Sequence, residues 1–222
     1  MGSAEHGDRV NLTCASAGAQ WRYLLFWPVF LLRYLLLEGI RPAARYTLVQ
    51  TLLDARIPFC EWFVIPYLSW HICIVGMHLY TFAVDRKAYV RYSHFLIRSM
   101  AISTAMFVLF PSCQNLRPDA FPRENLLTEL VRGIYSLDTN TNVFPSEHVI
   151  GAIALAAAAW NTQSLRTPGR IAAVWSLSVL ICLSTVFLKQ HSVLDVVAAV
   201  PVCWVVYRIV YGRKETGNER CE

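Results

Sequence analysis

Residues Ile171–Leu188, IAAVWSLSVLICLSTVFL, and Val193–Tyr211, VLDVVAAVPVCWVVYRIVY, are two long apolar runs separated only by Lys189-Gln190-His191-Ser192. Crossing a bilayer as a helix takes about 20 mostly apolar residues. The pair therefore reads as a hairpin of two membrane helices. Thr167-Pro168-Gly169 is a turn signal that bounds the hairpin on its other side. Four more apolar segments precede it: Trp21–Ile40, Cys60–Val84, Tyr92–Phe110 and His148–Trp160. Trp21–Ile40 carries Arg33 in its interior, and His148–Trp160 is short. Trp21, Trp62, Trp160, Tyr207 and Tyr211 lie near segment ends, where interfacial aromatics are expected.

The composition agrees. Of 222 residues, 55% are hydrophobic and 16% charged. Soluble domains carry about 25% charged residues. Mean hydropathy is +0.40. Disorder is excluded, since it needs low hydrophobicity and high charge. The net charge of +5 comes from 17 Arg and 3 Lys against 15 acidic residues. It lacks the basic, aromatic-interleaved surface of a nucleic-acid binder. Seven scattered cysteines include no C-x-x-C and no zinc-like spacing with histidine.

The expected fold is all-α, a polytopic membrane protein built as a six-transmembrane-helix bundle over residues 21–211. Tails at 1–20 and 212–222 flank it, and a long polar loop fills 111–146. Six spans place both termini on one side. That side carries 11 Lys/Arg against 7 on the other. The positive-inside rule puts the termini in the cytoplasm and the 111–146 loop outside. The plasma membrane is the default location.

Three polar stretches then converge on the outer face: Gln114–Pro118, Phe144–Val149 and Ser184–Asp195. His191 and Asp195 are four residues apart, so on a helix they share a face. A carboxylate that accepts from one imidazole nitrogen fixes the tautomer and leaves the other nitrogen a lone pair. That suits a nucleophilic or basic histidine. A His–Asp bond that merely joins helices is the plain alternative. Ser146 reads as a helix cap, with Pro145 before it as a start signal. The helix N-terminus behind it is an anion site, and His148 beside it can give a proton to a leaving oxygen. Arg117 offers a two-pronged fork for phosphate oxygens, and Lys189 a point charge.

These residues resemble the type-2 phosphatidic acid phosphatase superfamily, whose motifs are K-x6-R-P, P-S-G-H and S-R-x5-H-x3-D. Arg117-Pro118 matches the end of the first, Pro145-Ser146-Glu147-His148 the second except at glycine, and Ser184, His191 and Asp195 the third. The resemblance covers roughly 60–211. It implies that His191 attacks phosphorus and becomes a phosphohistidine, that Asp195 orients it, and that His148 protonates the leaving alkoxide and then activates the acceptor. It also implies phosphate binding by Arg117 and Ser146, with no metal and no cofactor. The substrate would be a phospholipid, or an isoprenoid or sphingolipid phosphate, drawn from the lipid bilayer. Three positions depart from the pattern: Phe110 for lysine, Thr185 for arginine and Glu147 for glycine. Lys189 and Arg123 are candidate replacements for the missing cations.

The expected activity is a metal-independent lipid phosphatase. Lipid phosphotransferases of the inositol phosphorylceramide and sphingomyelin synthase type resemble the pattern as well. Two other readings are a metal site built on His148, His191 and Asp195, and a non-catalytic lipid binder.

Overall fold

The computed structural model describes residues 17–40 and 45–212. Apart from residues 17–20 and Gly212, the expected tails lie outside the described residues. A 3-10 segment, Ala17–Leu25, leads into α1 (Phe26–Ile40). The connection onward carries β1 (Thr47–Leu48) and α2 (Leu52–Arg56). A 3-10 turn at Glu61–Phe63 opens α3 (Val64–Val84), and α4 (Arg86–Leu109) follows after one residue. That residue is Asp85, whose carboxylate accepts from Lys87 N and Ala88 N and so starts α4 immediately. Next come β2 (Ser112–Cys113), α5 (Leu126–Leu137), α6 (Glu147–Asn161), α7 (Pro168–Phe187) and α8 (Val193–Tyr211).

The described residues are nearly all-α, with one two-stranded pairing, and six long spans do not appear among them. Among the described residues four helices are long and apolar enough to cross a membrane: Glu61–Val84, Arg86–Leu109, Pro168–Phe187 and Val193–Tyr211. The other two expected spans form helices of 15 residues, α1 and α6. At 1.5 Å per residue α6 is about 22 Å long, short of a hydrocarbon core of about 30 Å, whereas α1 is prolonged at its start by the Ala17–Leu25 segment. For α6 the reason is its position. It packs against α3, α4, α7 and α8, and nine of its residues are buried. Protein rather than lipid surrounds it, so its length is set by its neighbours. Ala152, Ala154, Ala157, Ala158 and Ala159 let those neighbours approach closely. Gly151 lies directly under the Trp70 indole, with no room for a Cβ.

Trp70, Ile74, Tyr92, Phe95, Leu96, Ile150, Leu155 and Ile181 form the core around α6. The outward faces are apolar: Val29 is 63% exposed, Ile72 76% and Trp204 62%. Water would not tolerate so much contiguous apolar surface. Together with the four long helices, it identifies an integral membrane protein.

The 111–146 segment is not a plain loop. β2 pairs in parallel with β1, with Thr47 opposite Ser112 and Leu48 opposite Cys113. α5 is capped by Asn125, which accepts from Leu127 N and Thr128 N. Its apolar face, with Leu127, Val131 and Ile134, packs against Val64, Tyr67 and Phe63. One charged and one apolar face made this short helix read as polar loop in the sequence.

Candidate active site

The turn between α7 and α8 presents His191. Lys189 takes a left-handed conformation, φ 55°, which reverses the chain at the end of α7. The N–H groups of Gln190 and His191 then both donate to Thr185 O, at 2.9 and 3.0 Å. Ser192 caps α8, its Oγ accepting from Leu194 N at 3.2 Å, while Ser192 N donates to Asp195 Oδ2 at 2.8 Å. The 111–146 segment grips the same turn. Gln114 Nε2 donates to Lys189 O, and Tyr135 OH to Leu188 O.

His191 Nδ1 lies 3.1 Å from Val143 O and 3.4 Å from Asp195 Oδ2. Both partners are acceptors, so Nδ1 carries the hydrogen and Nε2 keeps its lone pair. The carbonyl is the nearer of the two; sequence spacing pointed only to the carboxylate. Asp195 therefore has two tasks, as it also holds Ser192 N in the cap.

His148, in the first turn of α6, faces His191 with 5.9 Å between ring centroids. Its ring stacks on Tyr67 at 4.3 Å and leans on Trp70 at 4.5 Å. His148 Nε2 is buried with no hydrogen-bond partner among the described residues. Buried polar atoms are rarely left so. Both histidines line one cavity of ≈ 520 Å3. Phe30, Leu31, Leu35, Leu68 and Phe107 give it an apolar wall. Its polar lining includes Arg33, Asp138, Asn142, Glu147 and Gln190 beside the histidines.

The predicted phosphate ligands are placed differently. Ser146 is fully buried, and its Oγ caps α6 by accepting from Val149 N at 3.4 Å. Arg117 stacks over the Tyr135 ring and donates to Tyr135 O, Asp138 O, Thr139 O and Gln190 Oε1. It ties the 111–146 segment to the His191 turn and does not line the cavity. Lys189 Nζ donates to Asp54 O and Ile57 O. Burial lowers the pKa of this ammonium, an effect partly offset by the Asp54 charge. Arg123 is exposed and pairs with Glu61 at 3.3 Å. Phe110 packs edge-on to Phe144, and Thr185 is fully buried, donating to Cys182 O.

Two residues escaped the sequence reading. Asp54, in α2, is 2% exposed. Its carboxylate accepts from Ser192 Oγ and Val193 N, both at 2.8 Å, and from Thr51 N and Oγ1. Burial works against this carboxylate, but those hydrogen bonds win and hold it below its ordinary pKa. It clamps the backbone just after His191. The local signal was Thr51-x-x-Asp54, a capping box. The second is Arg33, whose guanidinium meets Glu147 through two bonds of 2.6 Å. A charge inside an apolar run is costly unless engaged, and that was its signal.

Among the described residues no group of three or more His, Cys, Asp or Glu is placed to hold a metal ion. The fold and the site thus define a helical membrane protein with a histidine pair lining one internal cavity. The sequence profile of the PAP2 superfamily matches residues 89–217, and the chain belongs to that superfamily of phosphatases and phosphotransferases. Neither a curated protein nor a solved structure matches the chain.

Proposed function

We propose that the protein is a lipid phosphatase that hydrolyses a phosphomonoester or pyrophosphate through a phosphohistidine. The observation that carries this reading is the histidine pair: His191, its Nδ1 held by two acceptors, faces the unpartnered His148 Nε2 across one cavity.

In the first step the lone pair of His191 Nε2 attacks phosphorus and the ester P–O bond breaks. Productive attack needs about 3–3.5 Å between the reacting atoms. The phosphate charge favours the imidazolium form of His148, which passes its proton to the leaving alkoxide and releases a lipid alcohol. Neutral His148 then takes a proton from water, the resulting hydroxide attacks phosphorus, and the P–N bond breaks to free inorganic phosphate. Val143 O and Asp195 support the positive charge that develops on His191. Arg117, Ser146 and Lys189 act in this reading through the scaffold: Arg117 and Lys189 hold the His191 turn, and Ser146 holds the start of α6. The apolar wall receives the acyl or isoprenoid chain. The reading includes α1 and α6 as shorter membrane helices in a six-helix arrangement. It places the termini in the cytoplasm and the histidines toward the opposite face.

A phosphotransferase is the second reading, favoured by Thr139, Thr141 and Asn142 on the cavity wall. These groups can hold an acceptor alcohol in place of water.

Detergent-purified protein mixed with phosphatidate, and separately with an isoprenyl pyrophosphate, should release inorganic phosphate. His191→Ala should release none. Rapid quenching with 32P-labelled substrate should trap an acid-labile, base-stable label on His191, more of it in a slow His148→Ala variant. Near wild-type turnover by His191→Ala would refute the mechanism. Release only when an alcohol is added would select the transferase.

A further inference from the structure

We infer that Arg33, on α1, is the cation that binds the substrate phosphate, with Glu147 as the residue that orients it. The inference rests on the phosphoryl-transfer reading above. A site that stabilises a phosphoryl group without metal needs fixed positive charge. The positions where the superfamily motifs carry it hold Phe110 and Thr185 here. Neither side chain is charged, and both are engaged as described. Arg117, Arg123 and Lys189 are bound elsewhere. Among the described residues Arg33 is the one Lys or Arg lining the cavity shared by His148 and His191.

Its geometry fits the task. Nη1 and Nη2 each donate to a Glu147 oxygen at 2.6 Å, and Nη1 also donates to Thr104 Oγ1 at 2.9 Å. Those bonds fix the plane of the guanidinium. Arg carries five N–H donors in a rigid fork. The edge formed by Nε–H and the second Nη2–H is not used by Glu147 or Thr104, and Nε is buried with no partner among the described residues; Arg117 Nε is in the same state but Arg117 does not line the cavity. That edge matches two phosphate oxygens as well as the other edge matches the carboxylate. Glu147 is itself stabilised at the first position of α6, where the helix N-terminus favours a negative charge. Adjacent to His148 in the chain, it couples the cation to the acid that protonates the leaving group. A buried ion pair is weak as a stabilising device, so its presence in an apolar cavity is better explained by use. Arg33 lies outside the 89–217 match.

The rival account is that Arg33 only neutralises Glu147. Inorganic vanadate, as a competitive inhibitor of lipid phosphate turnover in detergent, separates the two. Arg33→Gln should weaken vanadate inhibition and raise KM by at least roughly 10- to 150-fold, the worth of one of the two charge-assisted hydrogen bonds, with a smaller effect on kcat. Arg33→Lys should recover only part, having no fork. The double variant Arg33→Gln/Glu147→Gln keeps an amide pair in place of the ion pair and removes both charges. It should remain as defective toward vanadate as Arg33→Gln. Recovery of vanadate inhibition in the double variant would overturn the inference while leaving the phosphohistidine reading intact. So would unchanged inhibition in Arg33→Gln. Absence of any His191-dependent turnover in the wild type would remove the basis of both.

Discussion

Asp54→Ala should remove stability and turnover together, although Asp54 touches neither histidine. Its carboxylate joins α2 to the start of α8 through Ser192 Oγ and Val193 N, each at 2.8 Å. Hydrogen bonds to a charged partner are worth about 1.5–3 kcal/mol each, so the two amount to about 3–6 kcal/mol, before any cost from Thr51. Whole domains are stable by only about 5–15 kcal/mol. At roughly 2–4 °C per kcal/mol for a protein of this size, the apparent melting midpoint in detergent should fall by about 6–24 °C. Asp54→Asn keeps one acceptor and should fall between the variant and the wild type. The pH dependence has a defined sign. The folded carboxyl is held below its ordinary value, so its contribution is complete above the unfolded pKa of about 3.9. That contribution is lost as pH falls through the lower folded value. Wild-type stability should therefore drop below about pH 4, and part of that drop should vanish in Asp54→Asn. Midpoints followed by tryptophan fluorescence between pH 3 and 8 measure both effects. A midpoint for Asp54→Ala within about 2 °C of wild type at neutral pH would refute the clamp.

Gly151→Ala should impair both packing and turnover. A Cβ there would meet the Trp70 indole, Cε2 at 2.8 Å and Cζ2 at 2.9 Å. Trp70 in turn packs on His148, so relief of the clash displaces that imidazole. Overpacking of this kind costs about 1–3 kcal/mol; an unchanged midpoint and kcat would show that the indole moves freely. A strong chelator should leave phosphate release at its full rate, because the phosphohistidine route calls for no metal. Loss of activity with EDTA, restored by added zinc, would return the histidines to a metal site.

What could be read in the chain without coordinates was what lies within a turn or two of helix. His191 and Asp195 meet although His191 lies in the turn before α8, because Asp195 reaches back to the cap at Ser192, and Ser146 caps because the helix begins beside it. The apolar runs announce their membrane character one by one. Partnerships across the fold were not legible. Lys189 shows a charge, but not that its ammonium ends on carbonyls of Asp54 and Ile57, 135 and 132 residues away. Arg117 has the right chemistry for phosphate and turns it on four oxygens of its own chain. The length of α6 was equally out of reach. Span length can be judged from composition only for a helix facing lipid, and α6 is enclosed by four others.

The same limit explains why the departures from the family motifs looked like losses. Taken separately, an added carboxylate at Glu147 and two absent cations both weaken an anion site. Arg33, 114 residues from Glu147, changes the sum: the carboxylate recruits a guanidinium to the cavity wall instead of opposing the phosphate alone. A chain with glycine at 147 would leave Arg33 held by Thr104 without the carboxylate, and a chain with Glu147 but no Arg33 would place an unpaired negative charge in the cavity beside His148. The two residues therefore make physical sense only together. On that account Glu147→Gly, which restores the motif, should weaken phosphate binding rather than improve it.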